Sequence, residues 1–131
     1  MMAGLSPTQR TLKELKKQGV YCDIVERWIK NPKHPAGGFR RDYRGIIDII
    51  GLDLRTGKIR GVQSCGNSFS AHYKKLTIEE RENSVLWLSF PTTTLEIWAW
   101  RKVKKKRGGK LKIWMPRIRC ITEFDLRGHD E

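Results

Sequence analysis

The segment GIIDIIGL, residues 45–52, is apolar at nearly every position. Side chains alternate between the two faces of a strand, so Ile46, Ile50 and Leu52 share a face with Asp48 while Ile47 and Ile49 take the other. A strand apolar on both faces belongs in the middle of a covered sheet. The polar stretch DLRTGK follows, then the shorter run IRGVQSC, and together they predict a hairpin from Gly45 to Gly66. A lone carboxylate in such a strand is costly to bury unless something partners it. An even-numbered turn, Arg55–Thr56 or residues 54–57, sets Asp48 opposite Gln63 with Cys65 nearby; an odd one sets it opposite Ser64.

The rest of the chain supplies layers for that sheet. Residues 6–18, SPTQRTLKELKKQ, predict a helix capped by Ser6 or Thr8 and ended by Gly19, with a narrow stripe of Leu12 and Leu15. Residues 20–29, VYCDIVERWI, read as one strand, and the Pro- and Gly-rich 31–41 as a long basic loop carrying Lys33, Arg40 and Arg41. Residues 67–76 predict a helix capped by Asn67 or Ser68. Thr77 and Glu80 stand at capping-box spacing and predict a second helix that stops before Pro91. TLEIWAWRKV and KLKIWMPRIRCI flank a Gly108–Gly109 turn as a second hairpin, and 123–131 reads as a short strand or tail. The order is αβββαβ with an added C-terminal hairpin strand: an α/β (α+β) domain with a mixed sheet flanked by helices. At 131 residues, 1–131 forms one domain.

Charge narrows the choice of partner. The net charge is +13, and between Arg101 and Arg119 ten basic residues stand with no acidic one. Such an excess opposes compaction by self-repulsion and serves an anionic partner, with nucleic acid the first candidate. The tip residues Lys104, Lys105, Lys106 and Arg107 suit phosphate tracking; neutralising about five duplex phosphates gives a log–log salt slope near −4.5. Trp98 and Trp100 share one side of their strand, either as core or as a stacking surface for bases, and Trp28, Trp87 and Trp114 read as core or half-buried. No apolar run approaches a membrane span, and the first 19 residues lack a secretory segment. Cys22, Cys65 and Cys120 form no CxxC pair, so neither a disulfide framework nor a zinc site is expected and a cytoplasmic setting is. His34, His72 and His129 are too dispersed to predict a metal cluster.

A strand carrying Asp48, a hairpin turn and a second strand resemble the PD-(D/E)xK nuclease superfamily over roughly Leu12 to Arg101. The acid-x-Lys triplet of that superfamily is replaced here by Gln63-Ser64-Cys65. More narrowly, VERW (25–28), RRDYRGIID (40–48), GVQ (61–63) and SAHYKK (70–75) resemble small phage-encoded proteins related to it. The resemblance implies a restriction-endonuclease-like fold and a magnesium-dependent endonuclease or resolvase acting on DNA in a host cytoplasm. Asp48, Gln63 and Lys74 are then the catalytic candidates, with Lys74 standing in for the missing lysine. Asp48 and Glu26 are the metal candidates, Glu14 a weaker one. Arg40, Arg41, Lys74, Lys75 and Lys104–Arg107 are the nucleic-acid contacts, and a homodimer fits the same reading. The rival readings are a catalytically inactive nucleic-acid binder on the same fold and a phage interaction protein whose charge meets an acidic host partner.

Overall fold

The computed structural model describes residues 4–127. Its centre is a five-stranded mixed sheet in the order β1 (Tyr21–Ile24), β4 (Ile49–Asp53), β5 (Lys58–Cys65), β6 (Thr93–Lys104), β7 (Lys112–Cys120). Only β5 and β6 run parallel; every other neighbouring pair is antiparallel. Helix α1 (Pro7–Lys17) covers one face, and the other carries α2 (Phe69–Lys74), a π-helical turn (Lys75–Glu79), α3 (Arg81–Leu88) and the short α4 (Glu123–Leu126). Strands β2 (Arg27–Lys30) and β3 (Gly38–Arg41) form a separate antiparallel ribbon inserted between β1 and β4.

Each layer follows from local chemistry. Ser6 caps α1 by accepting from the Gln9 N–H, and the Gln9 side chain returns the bond to the Ser6 N–H. The α1 face packs Leu15 against Val20, Ile49, Val62, Trp98 and Trp100. The opposite face buries Ile46, Ile47, Cys65, Leu76, Leu95, Ile97 and Ala99. The alternation along β6 is therefore clean: odd residues face α2 and α3, even residues face α1. Trp98 is only 1% exposed and Trp100 also lies in the core, so neither is a stacking surface.

The loop between β4 and β5 has four residues, 54–57, and Ile49 pairs with Val62. The even register holds, and it brings Asp48 level with Gln63. Five expectations are corrected. Ile46 and Ile47 do not take opposite faces of a strand: they precede β4, which begins at Ile49, and both pack on the face that carries α2 and α3, whereas Ile49 packs on the α1 face. Residues 20–29 are two strands: the Val25 N–H continues the β1–β4 register to the Asp48 carbonyl at 2.8 Å, and from Arg27 the chain pairs with β3 instead. The predicted loop at 31–41 ends in β3, paired with β2 from Arg27↔Arg41 to Lys30↔Gly38. Thr77 caps nothing: its hydroxyl donates back to the Tyr73 carbonyl at 2.7 Å, and the Glu80 N–H bonds Lys75 across a π turn. The C-terminal segment forms helix α4 rather than a strand, with Thr122 and Asp125 making the capping box. His129 lies outside the described residues.

Candidate metal and phosphate site

The site is assembled by a tight turn. Between β3 and β4 the Tyr43 N–H donates to the Ile47 carbonyl at 2.8 Å, and the chain reverses through Arg44 (φ 55°) and Gly45 (φ 77°). Arg44 is the one non-glycine residue with positive φ among the described residues. That conformation is sterically costly and is held by the turn and by a bond from Arg44 to Asn83. The reversal places Asp42 beside Asp48, six residues later. Glu26, in the break between β1 and β2, is the third member. One carboxylate oxygen from each of Glu26, Asp42 and Asp48 lies within 4.8 Å of the others.

Gln63 organises the cluster. Its amide nitrogen donates to Asp42 Oδ2 at 3.0 Å and to the Ile46 carbonyl at 2.9 Å, with Asp48 Oδ1 at 3.5 Å. Those acceptors orient the amide, so its oxygen faces His72 Nδ1 at 2.8 Å and Lys75 Nζ at 3.3 Å. His72 therefore carries its proton on Nδ1. Burial, then the Lys75 charge, lowers the His72 pKa and keeps the ring neutral. Lys75 Nζ also donates to Asp42 Oδ2 at 2.9 Å, and the Ser64 N–H donates to Asp48 Oδ2 at 2.8 Å.

Two carboxyls this close do not both ionise freely. Burial pushes Asp48 up to about 8, reinforced by its hydrogen bond to Asp42 and by the charge there. Asp42 goes the other way: against burial, hydrogen bonds from Asp48, Gln63 and Lys75 hold it below the ordinary carboxylate value. Asp48 therefore keeps its proton near neutral pH while Asp42 is ionised. Asp48 is 5% exposed, but the cluster is not sealed: a cleft of about 350 Å³ has Asp42 and Lys75 on its wall with Phe39, Arg40 and Arg41 of β3.

The expected residues fall as follows. Asp48, Gln63 and Glu26 converge. Lys75 joins them, whereas Lys74 lies exposed one step around the helix and does not touch the cluster. Arg40 reaches inward to Glu26 at 3.0 Å, while Arg41 is exposed on the ribbon. Glu14 bonds Gln18 along α1, on the far side of the sheet. Cys65 is a buried core residue beside Ile97 and Ala99. Asp42 and His72 are the members sequence reading passed over, although Asp42 opens the turn-forming tetrad DYRG and stands within the RRDYRGIID segment.

The basic surface lies at the same end of the molecule. Gln63 is level with Ile97 on β6, and beyond Trp100 strands β6 and β7 continue as a two-stranded ribbon. Its tip, Lys104–Arg107 and Lys110, is exposed and turns through Gly108 (φ 77°). At ~3.3 Å per residue, Lys104 stands roughly 23 Å along the strand from the level of Gln63. No described helix is long and apolar enough to cross a membrane. Comparison with family models, with curated proteins and with solved structures found no match.

Proposed function

We propose that this chain is a magnesium-dependent nuclease-like protein that binds DNA and hydrolyses a phosphodiester bond, on a restriction-endonuclease-like core. The observation that carries the reading is the convergence of Glu26, Asp42 and Asp48 beside a lysine and an amide at the foot of a basic surface. The residues fit the cation: oxygen donors only, three carboxyls, and a protonated acid whose proton metal binding would displace. Glu26, Asp42 and Asp48 would hold it. When bound, such an ion polarises a phosphoryl oxygen and makes a bound water a stronger nucleophile.

The chain's own groups do the rest. Gln63 fixes the spacing of Asp42 and Asp48 through one amide. Lys75, held between Asp42 and Gln63 on the cleft wall, offers an ammonium to the phosphate. It takes the role expected of Lys74. His72 stays neutral and locks Gln63 in orientation. Arg40, Arg41 and the β6–β7 tip neutralise the flanking backbone.

One observation favours the non-catalytic rival. Gln63 fills the position of a second acid and already satisfies both ends of its amide within the protein. The test is cleavage of duplex, single-stranded and branched DNA with magnesium, manganese or chelator, for wild type and Asp48→Asn. Cleavage lost with chelator and in the variant supports the enzyme. Salt-sensitive binding with no cleavage transfers the conclusion to the inactive binder.

A further inference from the structure

The β2–β3 ribbon grows directly out of the candidate site. Glu26 immediately precedes β2 and Asp42 immediately follows β3, so two of the three clustered carboxylates are its two feet. The ribbon belongs to no core cluster and is basic along its length, with Arg27, Lys30, Arg40 and Arg41. Its notable side chain is Trp28, 52% exposed although sequence reading expects it in the core or half-buried. In the register, Trp28 pairs with Arg40, and Lys30 lies on the same face.

The indole is held in place. Gly38 pairs with Lys30, one diagonal step from Trp28, and a Cβ on Gly38 would meet the Trp28 ring at 2.7 Å and the Ile29 carbonyl oxygen at 2.4 Å. Only glycine lets the ring lie this close to the backbone. One part of Trp28 is therefore packed on the ribbon while much of the ring remains in solvent, beside a cation already bonded to the acid cluster. The other tryptophans do not offer this. Trp98 and Trp100 are buried, Trp87 donates its N–H to the Thr94 carbonyl, and the Trp114 ring is faced by Arg10 at 4.1 Å and Lys102 at 5.4 Å.

We infer that the β2–β3 ribbon is a stacking platform for an unpaired nucleotide next to the scissile phosphate, with Trp28 against the base and Arg40 and Lys30 on the adjoining phosphates. The inference rests on the nuclease-like reading and narrows its substrate to DNA with unpaired residues at the site, as in an overhang, flap or branch. A paired base buries its π-face in the duplex stack, whereas an unpaired one presents it to a fixed aromatic ring.

The test compares Trp28→Leu, which still covers Gly38 with apolar surface, with Trp28→Phe, which keeps a ring. Binding of a single-stranded 20-mer and of a blunt 20-bp duplex is measured by fluorescence anisotropy in chelator. The leucine variant is expected to lose roughly five- to a hundredfold on the single strand. The phenylalanine variant should stay within about threefold of wild type, and both variants within about twofold on the duplex. Equal single-strand affinity for the leucine and phenylalanine variants overturns the inference, as does an equal loss on both DNAs. Absence of binding by the wild type to either DNA overturns the nucleic-acid reading itself, a separate result.

Discussion

Replacing Asp48 with asparagine should make the protein more stable while removing one ligand of the proposed metal site. In the folded chain burial, the bond to Asp42 and the charge of Asp42 push this carboxyl up to about 8 from an ordinary 3.8. Between those values the folded state holds a proton that the unfolded chain has released. Stability is thus greatest below the unfolded value and falls as pH rises toward the folded one. At about 1.36 kcal/mol per pH unit, the span from the ordinary value to pH 7 amounts to roughly 4 kcal/mol. Asp42 has the opposite sign: its lowered pKa contributes stability that is complete above the unfolded value and lost in acid, so it leaves the neutral slope intact. Asparagine has nearly the same volume, accepts from the Ser64 N–H as Asp48 does, and donates toward Asp42. We expect Asp48→Asn to gain about 1–4 kcal/mol over wild type at pH 7 in chelator, the gain shrinking to nothing near pH 4. Urea denaturation followed by circular dichroism across that pH range measures it. A variant less stable than wild type at pH 7, or a gain that does not grow with pH, refutes the account of a proton kept on Asp48.

Other substitutions separate the parts of the site. Lys75→Ala should abolish magnesium-dependent cleavage, while Lys74→Ala should leave it within about threefold; equal effects in a single-turnover assay would mean the helix is turned differently. Glu96→Ala removes the buried partner of Arg60, whose two nitrogens lie at 2.8 and 2.9 Å from its carboxylate. That should cost about 3–5 kcal/mol in denaturant unfolding, yet leave magnesium affinity unchanged by calorimetry, because the pair faces α1. Changing Lys104, Lys105, Lys106 and Arg107 together to alanine should flatten the log–log salt dependence of duplex binding by up to about 3.6. An unchanged slope would remove the tip from the interface.

The legible parts of this structure are those governed by short-range rules. The Asp48–Gln63 pairing follows from period-2 alternation and an even turn, and Glu26 from its place on the run that leads in. What escaped was set by tertiary contacts. Nothing in VYCDIVERWI marks the switch from β1 to β2, because it is set by a change of partner, from β4 to β3, and both lie farther along the chain. Asp42 was hidden because a carboxylate in a turn reads as a turn former; only the left-handed pair Arg44–Gly45 folds it back onto Asp48. The choice between Lys74 and Lys75 depends on where the helical hydrogen bonding slips, and Lys75 opens the π turn. Trp28 was expected in the core or half-buried because its ribbon, paired only with itself, could not be seen in a loop of glycines and prolines.

The basic strand β7 is also an outer edge of the sheet, with a row of backbone groups that pair with no further strand among the described residues. Long edge strands invite another copy to add on, and Lys112, Arg117 and Arg119 repel that approach. Charges of the same basic ribbon whose tip is proposed to grip DNA therefore guard the protein against itself. The guard works only while the charges are felt. At about 1 M salt screening shrinks to ~3 Å, and Trp114, Met115 and Ile118 along that edge are left exposed without it. Stock solutions of this protein should accordingly be less soluble in concentrated salt than in dilute buffer, and bound DNA, by covering the strand, should keep it dispersed.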